Sequence, residues 1–402
     1  MLYEKILIDQ GVEKFWLIKH KIDRYVCSFV NGVRRIEETE DRINELFFIK
    51  NNNLYKIAFG IIDDDSLFKE LIDKSVKNSK FTVKNPLIKL PSIKAPDICK
   101  EKIFYFNECK RIIDSELKKV SNPSIQLKFD MSVDNSFLYY ERKKVSKTIS
   151  ENNLEILDFE RMDYKKYDNL KIKPGFLEKV INSDSQNDII QNEELFVDVC
   201  EAKYMRIDSK VFSEVLIILE EAFKGFFVMN NQSFIKKNDF GKAICNEKIS
   251  IKKVVNNYVF DSEGMECKNK YLIKKGILEN CLNNIYTASV LKLEPGDSVY
   301  NYELGNHVIG AKKLIMEYDK CREIVPEADI YIVQIKKDTI SFDFDSGYFQ
   351  AVFIGKEKNK KIRYMMRCNI IDLLNSIVAV IDNNYDTDSY EKDVILDLGK
   401  LK

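Results

Sequence analysis

Two stretches of strand-like alternation commit the N-terminal part of this chain to a sheet. Phe15–Ile36 alternates in long, partly regular segments, and Glu45–Ile62 repeats the pattern around the turn-like Asn51-Asn52-Asn53. Successive side chains of a strand point to opposite faces, so this pattern suits strands with one buried face. Asp63–Ser66 then offer caps for a helix through Leu67, Leu71 and Ile72. Pro86, Pro91 and Pro96 punctuate a loop, Cys109–Val120 has helical spacing, and Ile125–Ser150 returns to alternation with Phe137, Tyr139 and Tyr140. This order predicts a mixed sheet with flanking helices.

The run SDSQNDIIQNEE, Ser183–Glu194, is polar and acidic with two apolar residues, and its composition suits a linker. The expected division is therefore an N-terminal α+β domain over 1–190 and a mostly β C-terminal domain over 195–402. In the second half, Asp208 and Ser209 can cap a helix whose Phe212, Val215, Leu216, Leu219, Ala222, Phe223 and Phe226 recur at helical spacing. Leu216 and Ile217 are expected to be buried on or beside its apolar face. Ile249–Val259, Tyr271–Leu278, Asp329–Ile335 and Thr339–Ile354 read as successive strands of a large sheet, and Asn369–Val380 as a helix. No fixed-period repeat and no low-complexity tail is present, so solenoid, propeller and scaffold folds are poor fits.

Charge and cysteine usage exclude several functions. Lys plus Arg and Asp plus Glu both number 64, so no net field attracts phosphate backbones or an anionic membrane, and neither nucleic acid nor membrane is expected as a partner. No apolar run approaches the roughly 20 residues that span a bilayer. Met1–Gly11 is interrupted by Glu4, Lys5 and Asp9, unlike a signal peptide, and a cytoplasmic location is expected. The nine cysteines are scattered singly without a C-x-x-C pair, as reduced thiols used as small hydrophobes would be.

The motifs for chemistry are fragments. The two histidines, His20 and His307, cannot form the close helical pair with which zinc peptidases hold their metal. His20 lies in a strand-like run and reads as a surface or sheet residue; His307, in GNHVIG, is the better functional candidate. Gly305–Gly310 has phosphate-loop glycine spacing, but Ala311 stands where the required lysine would be. Asp239-Phe240-Gly241 has no accompanying glycine-rich loop or H-R-D. Phe344-Asp345-Ser346-Gly347 resembles the turn of an aspartic peptidase, but a strand-ending Asp-Ser-Gly is far more often a hairpin turn. No G-x-S-x-G elbow occurs. These residues support no catalytic, cofactor-binding or metal-binding assignment.

The run FDSEGMECKNKYLIKKGILENCLNNIYTA, Phe260–Ala288, resembles the signature of the TldD/PmbA family. Its elements are Asp261, Glu263 and Gly264, then Leu272, Ile273, Gly276 and Leu278, then Thr287 and Ala288. Read physically, Gly264 and Gly276 permit turns closed to other residues, and Asp261 and Glu263 can hydrogen-bond the loop between two strands, a structural role. Ser233–Gly241 resembles the stretch that precedes the signature, and Phe342–Asn383 the family's late strand, turn, strand and helix. Lys14–Asn78 shares the family's element order without a sharp motif.

The resemblance implies an α+β fold, an N-terminal mixed α/β-sheet domain joined to a mostly β domain, and dimers enclosing a peptide-accessible cavity. It also implies that a catalytic TldD-type subunit holds zinc with a His-Glu-x-x-x-His helix and a late cysteine. Counted back without gaps from Ser233, the histidine positions fall near Leu216 and Glu221 and the glutamate near Ile217, while Asp382–Lys402 contains no cysteine. The loop Glu294–Tyr300, EPGDSVY, lacks the family's fuller segment. The expectation is a PmbA/TldE-like, non-catalytic subunit that partners a TldD-like zinc metallopeptidase acting on small or unfolded peptides, with no cofactor in this chain and zinc only in the partner. The alternative is a stand-alone homodimer that binds a peptide or protein, in keeping with the older family label, modulator of DNA gyrase. A self-sufficient hydrolase using Asp345 ranks below both.

Overall fold

The computed structural model describes residues 3–401 apart from 61, 63, 79–82, 93–98, 121, 123, 142, 159–162, 169–171, 183–194, 197–201, 256–258, 302–305, 312, 320–324, 358–359 and 383–391. Side chains at 99–104, 163–168, 179, 182, 195–196, 360 and 382 are also undescribed. The chain divides into two compact units, one of residues 1–85 and 91–189, the other of 86–90 and 190–402. The expected linker Ser183–Glu194 lies outside the described residues.

The first unit is built on β1 (Lys14–Val30), β2 (Val33–Lys50), β3 (Asn53–Phe59), β4 (Val83–Lys84), β5 (Ile125–Tyr140), β6 (Lys143–Asp158) and β7 (Asp163–Asp168), with helices α1 (Glu4–Asp9), α2 (Asp65–Asn78), α3 (Cys99–Leu117) and α4 (Phe176–Asn182). The strands form one sheet, ordered β4-β3-β2-β1-β5-β6-β7, and every pairing in it is antiparallel. β1 and β2 join through Asn31 and Gly32, both at positive φ (51° and 76°). That is the backbone a type I′ turn requires, and Asn-Gly adopts it readily. Two apolar clusters hold helices to the sheet: Leu17, Phe48, Phe68 and Ile72 under α2, and Cys27, Phe106, Cys109, Ile113 and Phe129 under α3. β3 pairs only with Asn44–Lys50 of β2. Among the described residues, the outer edge of Val33–Ile43 therefore has no strand beside it.

The second unit contains β8 (Leu195–Phe196), β9 (Tyr204–Ile207), α5 (Ser209–Ala222), α6 (Gly225–Met229), β10 (Ile249–Lys253), β11 (Lys270–Lys274), β12 (Ile277–Leu278) and α7 (Ile285–Leu291). It continues with β13 (Ser298–Asn301), β14 (Asn306–Ile309), β15 (Leu314–Tyr318), β16 (Ile330–Asp343), β17 (Tyr348–Glu357), β18 (Lys360–Asn369), α8 (Ile370–Asn375), β19 (Ile377–Asp382) and β20 (Lys392–Asp397). A seven-stranded sheet runs β19-β20-β9-β16-β17-β18-β8, a smaller one runs β12-β11-β10-β15, and β13 pairs with β14. α5 packs against β15, β16 and β20, so one core, including Phe212, Val215, Leu219, Ile251, Met316, Ile332 and Phe353, spans both sheets. The fold is α+β, with a predominantly β second half.

Four expectations shift. The strands expected in one large sheet divide between two, with β10 and β11 in the smaller and β16 and β17 in the larger. The helix expected over Asn369–Val380 stops at Asn375, and Ile377–Asp382 is a strand, because the β-branched Ile377, Val378 and Val380 suit a pleated surface. The amphipathic helix ends at Ala222, and Phe226, on the separate α6, is 49% exposed. Ile217 is 59% exposed rather than buried. At about 100° per residue it points away from the stripe formed by Phe212, Val215, Leu216 and Leu219.

Candidate functional site

The signature residues of the second unit are engaged in backbone-holding contacts. Asp261 is buried; its Oδ1 accepts from the amides of Glu263 (2.9 Å) and Met265 (2.8 Å), and its Oδ2 from that of Ser298 (3.0 Å). Three amide donors are what a buried carboxylate needs in place of water. Glu263 Oε2 accepts from the Ile285 amide (2.8 Å) at the start of α7, whose Asn284 cap accepts from the Thr287 amide (2.9 Å). Thr287 Oγ1 donates to Asn283 Oδ1 (3.0 Å), and Ala288 is fully buried. Gly264 and Gly276 both stand at positive φ, 84° and 75°. A Cβ on Gly276 would also lie 2.3 Å from the Cys245 carbonyl oxygen, so that turn admits only glycine. Asp261, Glu263, Gly264, Thr287 and Ala288 thus converge on one loop and the helix it caps, while Gly276 serves a separate turn.

Beside this loop lies a buried ionic cluster not identified from the sequence. Asp297 and Lys253 are each 2% exposed. Lys253 Nζ donates to Asp297 Oδ1 (2.5 Å) and to the Gly296 carbonyl (2.7 Å), Lys270 Nζ pairs with Asp297 Oδ2, and the Asn283 amide donates to that same oxygen (2.7 Å). Burial by itself would raise the Asp297 pKa, but the two ammonium groups outweigh it and hold the carboxyl below the ordinary range. Gly296 makes the approach possible, since a Cβ there would meet the Glu266 carbonyl oxygen at 2.4 Å. The members stand at 253, 270, 283 and 297, spacings of no short-range motif, and the turn-forming Pro295-Gly296 before Asp297 is the one local signal near them.

His307 lies on β14 with Nδ1 2.8 Å from Ser262 Oγ, and its ring meets Tyr300 edge-on at 5.2 Å. An imidazole beside a hydroxyl is the arrangement that activates a serine nucleophile. Here Ser262 is buried and donates to Ser298 Oγ (2.9 Å), so its oxygen does not face a substrate. His20, in the first unit, is also buried, 5% exposed: its Nδ1 lies 3.1 Å from Asp134 Oδ2 and 3.1 Å from Ser136 Oγ, and its Nε2 3.5 Å from Glu45 Oε2. It is a sheet residue, as one arm of the reading of its strand had it, but not a surface one. Asp345 sits in the hairpin turn between β16 and β17, paired with Lys236 (2.5 Å), while Asp343 accepts from the Asp345 amide and the Ser346 hydroxyl.

α5 carries the positions that the resemblance aligned with metal ligands. Leu216 is buried, Ile217 is exposed, and Glu221 pairs with Lys224 one turn on. Glu220, between them, accepts the Ala311 amide (2.6 Å); burial pushes its carboxyl up to about 7, against the lowering effects of that amide and of Lys224. Among the described residues, no group of three or more His, Cys, Asp or Glu side chains comes together in a form that could hold a metal ion. No helix among them is long and apolar enough to cross a membrane.

Residues 205–392 match the family described as PmbA/TldA metallopeptidase C-terminal domain. No curated protein matches the chain. Three solved structures share the fold across nearly the whole length. A protein titled as a candidate modulator of DNA gyrase from Bacteroides thetaiotaomicron is 13% identical, with 98% of this chain and 96% of that one covered and a TM-score of 0.69. One of the same description from Thermotoga maritima is 15% identical, with 98% and 97% covered and a TM-score of 0.67. TldE from Thermococcus kodakarensis is 15% identical, with 99% of each chain covered and a TM-score of 0.65.

Proposed function

We propose that this chain, a member of the TldD/PmbA family by its residues 205–392, serves as a TldE-like, non-catalytic subunit of a zinc metallopeptidase whose TldD-like partner carries the metal. The observation that carries the reading is α5. Where the resemblance expects two imidazoles and a carboxylate, this helix has Leu216 packed into the core, Glu221 tied to Lys224 and Ile217 facing outward. A zinc ligand must offer a nitrogen, sulfur or oxygen lone pair, which Leu216 and Ile217 lack. Positions 216 and 217 therefore do not fit zinc, and in this reading the chain's contribution is surface: walls that exclude folded substrates, and strand edges able to pair with an extended peptide. The substrates in this reading are small or unfolded peptides, and the complex works in the cytoplasm.

Co-expression with a TldD-like protein from the same source tests this. The two are expected to co-purify through an interface above about 1,000 Å2 and to cleave unstructured peptides in a chelator-sensitive manner. Replacing the partner's zinc-binding histidines should abolish cleavage and leave the complex intact. Cleavage that survives this change and falls with Asp345→Asn would assign the chemistry to this chain instead. If the proteins neither associate nor cleave, a stand-alone binding protein becomes the better reading.

A further inference from the structure

The outer edge of β2 carries a charge pattern that is the reverse of itself. Around Ile36 the sequence reads Arg34-Arg35-Ile36-Glu37-Glu38, flanked by Val33 and Thr39. All are exposed except the half-buried Arg34; Val33 is 56% and Ile36 44% exposed. An edge strand presents unpaired amides and carbonyls, and proteins commonly guard such edges with like charges or lysine, which repel a second copy. This edge does the opposite, since turning it end for end sets each arginine against a glutamate.

We propose that the edge of β2 is a homotypic docking strand, on which two copies pair antiparallel over Val33–Thr39 about a two-fold axis at Ile36. In that register Ile36 meets Ile36 of the second copy, Arg35 meets Glu37, Arg34 meets Glu38 and Val33 meets Thr39. Directly opposed residues of an antiparallel pair lie on the same face. The contact is isologous, so each charge pair occurs twice.

Backbone geometry permits this register, and charge selects it. The two-residue Asn31–Gly32 turn makes Val30 and Val33 the closing pair, and hydrogen-bonded pairs then alternate along the hairpin. Arg34, Ile36 and Glu38 accordingly turn their amides and carbonyls outward, the set a two-fold axis at Ile36 requires. Moving the axis one residue either way sets Arg35 against Arg35 or Glu37 against Glu37. Room also agrees. The second copy's Asn31–Gly32 turn falls beside Glu40 and Asp41, short of Asn44, where β3 joins β2. Existing ion pairs, Lys110 with Glu38 (2.7 Å) and Arg34 with Asp114, hold two of the charged side chains in place, and both a carboxylate and a guanidinium can take a second partner. This surface lies wholly in the first unit and does not depend on the subunit role proposed above.

The test is site-directed cross-linking of the full-length chain. Cys27 faces Ile36 across the hairpin, so the background is Cys27→Ala. In it, Ile36→Cys places two thiols at a hydrogen-bonded pair, with Cα atoms about 5.5 Å apart, inside the disulfide range of about 4.4–6.8 Å. Thr39→Cys is the control, because its own copy would be six residues along, about 20 Å away. Under mild oxidation Ile36→Cys should give a covalent dimer and Thr39→Cys no more than the Cys27→Ala parent. Adding Arg34→Glu/Arg35→Glu, or Glu37→Arg/Glu38→Arg, should each reduce the cross-link to the parent level, and mixing the two variants should restore it. The proposal is overturned if Ile36→Cys cross-links no better than Thr39→Cys, or if the single-sign variants cross-link as well alone as mixed.

Discussion

His20 is held between Asp134 and Glu45 in the middle of the first sheet, and this placement makes stability depend on pH. Burial acts to lower its pKa, but hydrogen bonds and charge from Asp134 and Glu45 outweigh that and raise it above 6.5. A raised histidine stabilises the native state fully below the unfolded value and loses that contribution as pH climbs through the folded one. The unfolding free energy should therefore decline above pH 6.5, with a slope of at most about 1.4 kcal/mol per pH unit, and His20→Gln should flatten the decline. Equal slopes for the two proteins would contradict it. Glu220 acts in a neighbouring window. Its carboxyl, raised from 4.5 to about 7, keeps a proton in the native state that the unfolded chain releases, so stability falls between those values as pH rises. Glu220→Gln should remove that loss and leave the one above pH 6.5. Neither protonation state was legible in the sequence: His20 owes its state to Glu45 and Asp134, more than twenty positions away, and Glu220 owes its own to the burial that tertiary packing imposes.

α5 shows how far local pattern reaches at the scale of an element. Its apolar stripe, its Asp208 cap on the Lys210 amide and its start at Ser209 were all readable, because they depend on residues within one or two turns. Burial of the adjacent pair 216–217 was legible only for one member. Leu216→Ala should cost about 2–5 kcal/mol, whereas Ile217→Ala should stay within about 0.5 kcal/mol, both measured by denaturant unfolding. Comparable losses at the two positions would mean that the outward face of α5 is covered. At α8 and β19 the short-range signal misled, since Leu373, Leu374, Ile377 and Val380 satisfy helical spacing while pairing with β20 captures the last two in a strand.

For the molecule as a whole, the metal content of the purified chain separates the subunit reading from a self-sufficient metalloenzyme. Elemental analysis of protein prepared without chelators should find no zinc that survives dialysis. About one zinc per chain would show that ligands were gathered from residues assigned no such role here. The whole-length likeness to solved structures at 13–15% identity fits this scale of inference, because a fold persists on patterns of burial long after individual residues have changed.

What the sequence alone determined was the local layer. Alternation in Phe15–Ile36 and Glu45–Ile62, the glycines at 264 and 276, and the chemistry missing from positions 216 and 217 depend on residue type and near neighbours, and each could be read along the chain. Tertiary structure decided where distant charges met. Lys253, Lys270 and Asp297 are unremarkable in sequence, and only the return of β10, β11 and the loop before β13 to one buried point makes them a cluster. A buried charge is stable only when its partners are brought to it, and that convergence is set by sheet pairing across dozens of residues, which short-range periodicity does not encode.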